Sequence, residues 1–293
     1  MAMLINDINT HEFALVRQWV TEARRITVLT GAGISTASGV PDFRGPNGIW
    51  TKNPSAEKFS NIESYKNDES IRIAGWQASS ARRLNTVEPN VGHLALVELE
   101  RRGQLRGLAT QNVDGLHLVA GNSPEIVHEV HGTWQYTRCI GCSDRLPVED
   151  TLQRVDAGEV DPKCLKCGGL MKRDVILFGE ALVPQVIAGA MAAAEDADLV
   201  MAIGTQLNVT PAANVVTRGK AAGTVRPSLL TSPPSDGRWG SWQISTSDCV
   251  PAGTSSQAIW GLRLLDSLTW VAGSLTANAQ AAGMSAPSVN ESL

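Results

Sequence analysis

The chain runs to 293 residues, enough to bury a substantial core as one large domain or two ordinary ones. Its 25 Lys and Arg against 29 Asp and Glu leave a formal net charge of -4, so there is no global positive field to hold nucleic acid or an anionic membrane. No apolar run is long enough to span a bilayer, and no basic, apolar, cleavable leader opens the sequence, which gives the expectation of a cytoplasmic protein without membrane or direct nucleic-acid partners.

From the N-terminus, residues 10–25 put Phe13, Val16, Trp19, Val20 and Ala23 on one helical face, with Thr10 as N-cap and Arg24 and Arg25 at the basic end. A strand fits "ITVLT", and a glycine-rich turn follows it. Residues 46–90 are polar and weakly periodic, with scattered aromatics at Trp50, Phe59, Tyr65 and Trp76, and read as an inserted mobile segment. A helix over "VGHLALVELERRG" ends at Gly103. Then come "LRGLAT", "NVDGLHLVAG" and "EIVHEVHG", and later "DVILFGE", "VPQVIAGAMAAAEDA" and "DLVMAIGT". Short apolar runs alternating with helical patterns predict a mostly parallel sheet covered by helices on both faces. Beyond about Gly219 the chain is rich in Ser, Thr, Gly and Pro, carries Trp239, Trp242 and Trp260, and shows no sustained period from which a fold can be read.

Gly31-Ala32-Gly33 directly after a strand suits a phosphate, because glycine lets main chain approach closely and N–H groups at the start of a following helix face an anion. Thr36 stands where a dinucleotide fingerprint has its third glycine, so by itself the turn fits a ligand-free connection equally well. Asp42-Phe43-Arg44 adds a cation for phosphate and a ring for a planar base, against the blander alternative of a surface ion pair beside a core phenylalanine. In "TQNVDGLH", Gln111, Asn112, Asp114 and His117 follow a buried strand, where open parallel sheets bind ligands; an Asx turn would account for Asn112 or Asp114 alone. His128 and His131 in "IVHEVHGTW" supply a candidate general base, since imidazole titrates near operating pH; ordinary partly buried histidine is the alternative for each.

The five cysteines are Cys139, Cys142, Cys164, Cys167 and Cys249. The first four form two Cys-x-x-Cys pairs with 21 residues between them, a pattern that can set four thiolates tetrahedrally around Zn2+. With every position filled by protein, such a metal is structural. Cys249 stays unassigned.

In order along the chain, "GAGIS", "PDFRG", "TQNVDGLH", "HGT", the paired Cys-x-x-Cys motifs, "FGE" and "IGTQLNVTP" together resemble the sirtuins, NAD-dependent protein deacylases, over about residues 10–217. The resemblance implies an α/β fold with a Rossmann-like domain from 10–132 and 172–217, a small zinc-ribbon-like insertion at 133–171 with 46–90 as a mobile helical cofactor segment, and 218–293 as an atypical tail. It also implies one structural Zn2+ on Cys139, Cys142, Cys164 and Cys167, and NAD as co-substrate held by Gly31, Ala32, Gly33, Ser35, Asp42 and Arg44, with Phe43 shielding the site once nicotinamide leaves. Gln111, Asn112 and Asp114 would hold the nicotinamide ribose and carboxamide, Gly204 and Thr205 the adenosine side, and His131 would be the general base. Acyl-lysine peptide would pair with Val175, Phe178, Gly179 and Glu180, the products being free lysine, nicotinamide and O-acyl-ADP-ribose from a monomeric enzyme. Using the same pocket, a mono-ADP-ribosyltransferase or NAD hydrolase is the alternative activity, and a zinc-stabilised binding module the non-enzymatic one.

Three departures from the family pattern stand out. Gln206 replaces the serine of the usual Gly-Thr-Ser turn. No Tyr-x-x-Arg pair lies between Trp76 and Arg83, which favours acetyl over acidic acyl groups. After residue 217 the family's next apolar strand is not recognisable, so the sheet is expected to lack an interior strand there.

Overall fold

The computed structural model describes residues 10–45, 47–83, 87–223, 227–231, 241–245 and 259–261. Helix α1 (Thr10–Glu22) leads into β1 (Ile26–Thr30), every residue of which is buried. Val16, Trp19 and Ala23 of the predicted apolar face are buried; the side chains of Thr10 and Phe13 lie outside those described. Next come α2 (Ile49–Lys52), α3 (Ile62–Asn67), α4 (Glu69–Arg83), α5 (Val91–Arg101), β2 (Leu105–Thr110), α6 (Leu116–Ala120) and β3 (Val127–Glu129). A small unit follows, made of β4 (Gly132–Cys139), β5 (Arg145–Pro147), α7 (Val148–Asp156) and β6 (Met171–Val175). The chain returns through α8 (Pro184–Glu195), β7 (Leu199–Ile203) and α9 (Asn214–Ala221) to β8 (Pro227–Thr231), β9 (Ser241–Ser245) and β10 (Ile259–Gly261).

The main sheet has the order β10-β9-β8-β7-β1-β2-β3, parallel from β8 through β3 and antiparallel at β9 and β10. On one face α1 and α5 close the core around Val16, Trp19, Ile26, Leu96 and Leu99. On the other, α8 presents Ala190 and Ala194 to Leu29 and Val200. Its small side chains let α8 lie close to the sheet: Thr27 Oγ1 donates to the Ala193 carbonyl at 2.8 Å.

Two expectations are corrected. The pattern of "DVILFGE" predicts a strand of the parallel sheet, but β6 pairs antiparallel with β4 in a separate three-stranded sheet of order β5-β4-β6. Its apolar content is the same in either setting, and the long-range pairing with β4 decides. The sheet also does not lack a strand beside β7, because β8 pairs with it in parallel, Val200 opposite Pro227 to Ile203 opposite Leu230. Proline is tolerated there as the first residue of the strand. Helix α9 runs across residue 217, where sequence pattern ended, and Cys249 lies outside the described residues.

Within the expected mobile segment, residues 49–83 are largely helical, and α4 docks on the small unit. Trp76 of α4, 2% exposed, joins Cys139, Leu152, Cys164 and Met171 in one apolar cluster. Beside it Arg72 pairs with Asp161 at 3.0 Å, both side chains buried, and the Tyr65 hydroxyl donates to the Met171 carbonyl at 2.6 Å.

Candidate functional site at the carboxyl ends of the strands

Strand β1 lies between β2 on one side and β7 on the other, so the chain order reverses there. Open parallel sheets leave a crevice at such a point, outside the carboxyl ends of the strands. The segments leaving β1, β2, β3 and β7 meet at it. Gly31 N–H donates to the Ile203 carbonyl at 2.9 Å and Gly33 N–H to the Gly204 carbonyl at 2.9 Å. A Cβ on Gly33 would sit 2.7 Å from Gly204 Cα, so the two loops touch main chain to main chain, which only glycine permits. Ala32 opens a short 3-10 turn through Ile34, whose end is closed by Ser35 N–H on the Ala32 carbonyl.

From β2, Gln111 N–H donates to the Thr30 carbonyl at 2.9 Å, and Gln111 Oε1 accepts from the Thr205 hydroxyl at 2.6 Å. Ser35, fully buried, donates to Asp114 Oδ2 at 2.7 Å and accepts from Asn112 Nδ2 at 3.1 Å. From β3, His131 Nδ1 lies 3.1 Å from the Gln111 carbonyl. That contact fixes the tautomer: Nδ1 carries the proton and donates, leaving Nε2 with its lone pair. Burial lowers the His131 pKa below the usual 6.5, with the Gln111 carbonyl opposing, so the ring is neutral near pH 7. The arrangement presents a neutral imidazole base beside hydroxyl, amide and carboxylate groups suited to a polyhydroxylated ligand.

Behind this layer lies a network of which the sequence motifs show only His117. His93, the third residue of α5, accepts from Asn90 N–H at 3.3 Å as part of the helix cap, and its other ring nitrogen reaches Ser35 Oγ at 3.4 Å. His117 Nε2 meets Thr30 Oγ1 at 2.9 Å, and burial, with the neighbouring His93 ring, holds its pKa down to about 3. Asn-x-x-His at the start of α5 was the available signal for His93. His128 packs its ring against Gly189 of α8, where an added Cβ would be 2.8 Å from it.

Asp42, Phe43 and Arg44 form a second group. Asp42 Oδ1 accepts from Gly45 N–H at 3.1 Å, and burial raises its pKa, with that bond opposing. The Phe43 ring lies 4.8 Å from Trp50, the Arg44 guanidinium 4.6 Å over the same indole, and Trp50 5.8 Å from Phe178. Trp50 thus joins the triplet to the segment expected to bind peptide. That segment is strand only as far as Val175. Leu177 to Glu180 form a tight turn, closed by Glu180 N–H on the Leu177 carbonyl at 3.0 Å, with Gly179 at φ +92°.

The Sγ atoms of Cys139, Cys142, Cys164 and Cys167 lie within 4.8 Å of one another, with 3.5 Å between Cys139 and Cys167 and 3.6 Å between Cys142 and Cys164. Four thiolates at about 2.3 Å from Zn2+ have tetrahedral edges of about 3.8 Å, so the cluster can hold zinc. N–H groups of Gly141 and Cys142 point at Cys139 Sγ, and that of Gly169 at Cys167 Sγ, the support that metal-bound thiolates need.

Residues 31–211 match the family model described as Sir2 family. The chain belongs to the Sir2 family. Among its relatives, the NAD-dependent protein deacetylase 2 of Streptomyces coelicolor is 46% identical over 190 residues, 65% of this chain and 79% of that protein. The NAD-dependent protein deacetylase of Sulfolobus acidocaldarius is 42% identical over 200 residues, 67% of this chain and 75% of that one. Among solved structures, one from work on the mechanism and regulation of Sir2 enzymes superposes with TM-score 0.68 at 32% identity, covering 77% of this chain and 88% of the other. A Sir2 homologue solved with NAD gives 0.62 at 35%, covering 76% and 82%. A Sir2 variant solved with a deacetylated peptide and 3'-O-acetyl ADP-ribose gives 0.65 at 30%, covering 75% and 85%. The Sir2 match ends at residue 211, within the segment joining β7 to α9.

Proposed function

We propose that this chain is an NAD-dependent protein-lysine deacetylase, which removes acetyl groups from lysine side chains and yields nicotinamide and O-acetyl-ADP-ribose. The observation that carries this reading is the convergence of the Gly31–Gly33 turn, Gln111, Asn112, Asp114 and a neutral His131 at the switch point of the sheet. Relatives named as NAD-dependent protein deacetylases, and a neighbour solved with a deacetylated peptide, support it.

When bound, NAD supplies an electrophilic ribose carbon able to accept the acyl oxygen. The donor set suits that group. Gly31, Ala32, Gly33 and Ser35 with Arg44 serve its phosphates and ribose, Gln111, Asn112 and Asp114 the nicotinamide side, and Gly204 and Thr205 the adenosine side. Asp42 shapes the loop that carries Arg44 through its bond to Gly45. Phe43 covers the position nicotinamide vacates. His131 takes a ribose hydroxyl proton at Nε2, because Nδ1 is committed to the Gln111 carbonyl. Val175, Phe178, Gly179 and Glu180 line the peptide side, and zinc on the four cysteines holds the small unit together without touching the reaction.

The reading extends to division of the chain into a cofactor domain, 10–132 with 172–217, and a zinc insertion, 133–171, acting as a cytoplasmic monomer. No helix among the described residues is long and apolar enough to cross a membrane. The test is incubation with acetyl-lysine peptide with and without NAD, the products resolved by mass. Deacetylation only with NAD, lost in His131→Ala, is the expected outcome. NAD cleavage with the peptide unchanged points to a hydrolase, ADP-ribose carried on the peptide to a transferase, and neither turnover nor NAD binding to a binding module.

A further inference from the structure

Lys172 is a charged residue inside the small unit, its side chain 6% exposed. Ammonium groups are seldom buried without full pairing, because desolvation costs more than one hydrogen bond returns. Its three donors have three partners: Glu180 Oε2 at 3.1 Å, the Val175 carbonyl, and the Arg173 carbonyl at 3.4 Å. Glu180 Oε2 also accepts from Leu177 N–H at 2.8 Å. One ion pair therefore joins the end of β6 to both ends of the Leu177–Glu180 turn.

The same few residues are tied outward on both sides. Ile176 N–H donates to the carbonyl of His131 at 2.8 Å. Phe178 N–H donates to the Ser60 carbonyl at 2.7 Å, and its own carbonyl accepts from Ile62 N–H at 3.0 Å. The turn thus sits between His131 and the segment leading into α3, with Phe178 facing Trp50.

We propose that Lys172 is a positioning residue for the acyl-lysine substrate. Through Glu180 and the Val175 carbonyl it holds the Leu177–Glu180 turn, and with it Phe178, in the one arrangement that receives the peptide. This rests on the deacetylase reading of the site. Without the ammonium, Glu180 and the Val175 carbonyl lose their common partner, the turn populates other arrangements, and apparent peptide affinity falls by the fraction that remains competent.

The experiment compares the unmodified chain with Lys172→Met, which keeps the stem and removes the charge, and Lys172→Arg, which restores it. In Lys172→Met the peptide KM at saturating NAD rises about tenfold while the KM for NAD stays within about twofold, and Lys172→Arg recovers most of the loss. A peptide KM within about twofold of the unmodified chain, an equal rise for both substrates, or no recovery with arginine overturns the proposal. Should Lys172→Met fail to fold, Lys172→Gln, which keeps a polar head without the charge, carries the same comparison with Lys172→Arg. If the unmodified chain does not deacetylate, the functional reading fails by itself. Amide exchange then reads the clamp: residues 177–180 exchange about tenfold faster in Lys172→Met and are restored in Lys172→Arg, and unchanged exchange refutes it.

Discussion

Replacing Gly204 by alanine combines two penalties that neighbouring glycines separate. Gly204 has φ +66°, in the region where a Cβ costs roughly 1–2 kcal/mol. An added Cβ would also lie 2.3 Å from Ile34 N and 2.7 Å from Gly33 C, atoms of main chain that no rotamer change can move. Overpacking of that kind costs about 1–3 kcal/mol, for a total of about 2–5 kcal/mol. Gly33→Ala meets only the steric part, with Gly204 Cα at 2.7 Å. Gly39→Ala meets only the backbone part, since Gly39 has φ +85° and nothing within 4 Å of the added carbon. For a chain of this size each kcal/mol is worth about 2–4 °C, so Gly204→Ala lowers Tm by about 4–20 °C and Gly39→Ala by about 2–8 °C. The assay is thermal unfolding of the three variants beside NAD titration. Gly204→Ala and Gly33→Ala displace Thr205 and Ser35 and weaken NAD, whereas Gly39→Ala leaves NAD affinity unchanged. A Gly204→Ala chain no less stable than Gly39→Ala would refute the claim that the β1 and β7 loops are held main chain to main chain.

Two further outcomes follow from the same geometry. Metal analysis should find about one zinc per chain, and chelation or Cys139→Ser should cost at least about 3 kcal/mol, because Trp76 and Met171 share the cysteines' apolar cluster, with chelation freeing all four thiols of the site and Cys139→Ser the three that remain; a zinc-free chain unfolding like the native one would contradict the four-thiolate site. For His131 the active form is the neutral ring. Burial holds its pKa below 6.5, so activity is full above that value and is lost only as pH falls through the lowered pKa. The acid limb of kcat/KM should therefore lie below pH 6.5 and vanish in His131→Ala with about a 100- to 10,000-fold loss of rate, and a limb above 6.5 that persists in the variant would remove His131 from the role of base.

Much of this was legible because parallel strands buried on both faces are β-branched and apolar along most of their length, and "ITVLT" and "DLVMAI" announce themselves that way. The cysteine pairs were legible for a different reason: their spacing carries chemistry irrespective of packing. What hid from sequence was held together by distant partners. Helix α4 looks polar because its buried contacts are few, and Trp76 and Arg72 find theirs on the small unit, more than 60 residues on. Lys172 and Glu180 look like surface charges in one dimension, yet Lys172 is buried and the pair fixes the turn beside the candidate site. Thr30 and Thr110 look unremarkable until the sheet stacks their side chains with His117 into one hydrogen-bonded row.

The tail is where pattern and structure part furthest, and the strand beside β7 explains why its sequence can be so plain. A parallel strand inside a sheet needs its N–H and carbonyl groups paired on both edges, and that demand is met by main chain whatever the side chains are. Residues 227–231 meet it for β7 with only five residues. Because β7 is flanked by β1 and β8, the Gly204–Thr205 turn leaves an interior strand, not a sheet edge. The bonds that fix that turn, Gly33 N–H to the Gly204 carbonyl and Thr205 to Gln111, come wholly from residues before 211. Among the described residues, 227–231 serve the candidate site by closing the far edge of β7, and substitutions there that keep a strand should act on stability before they act on the reaction.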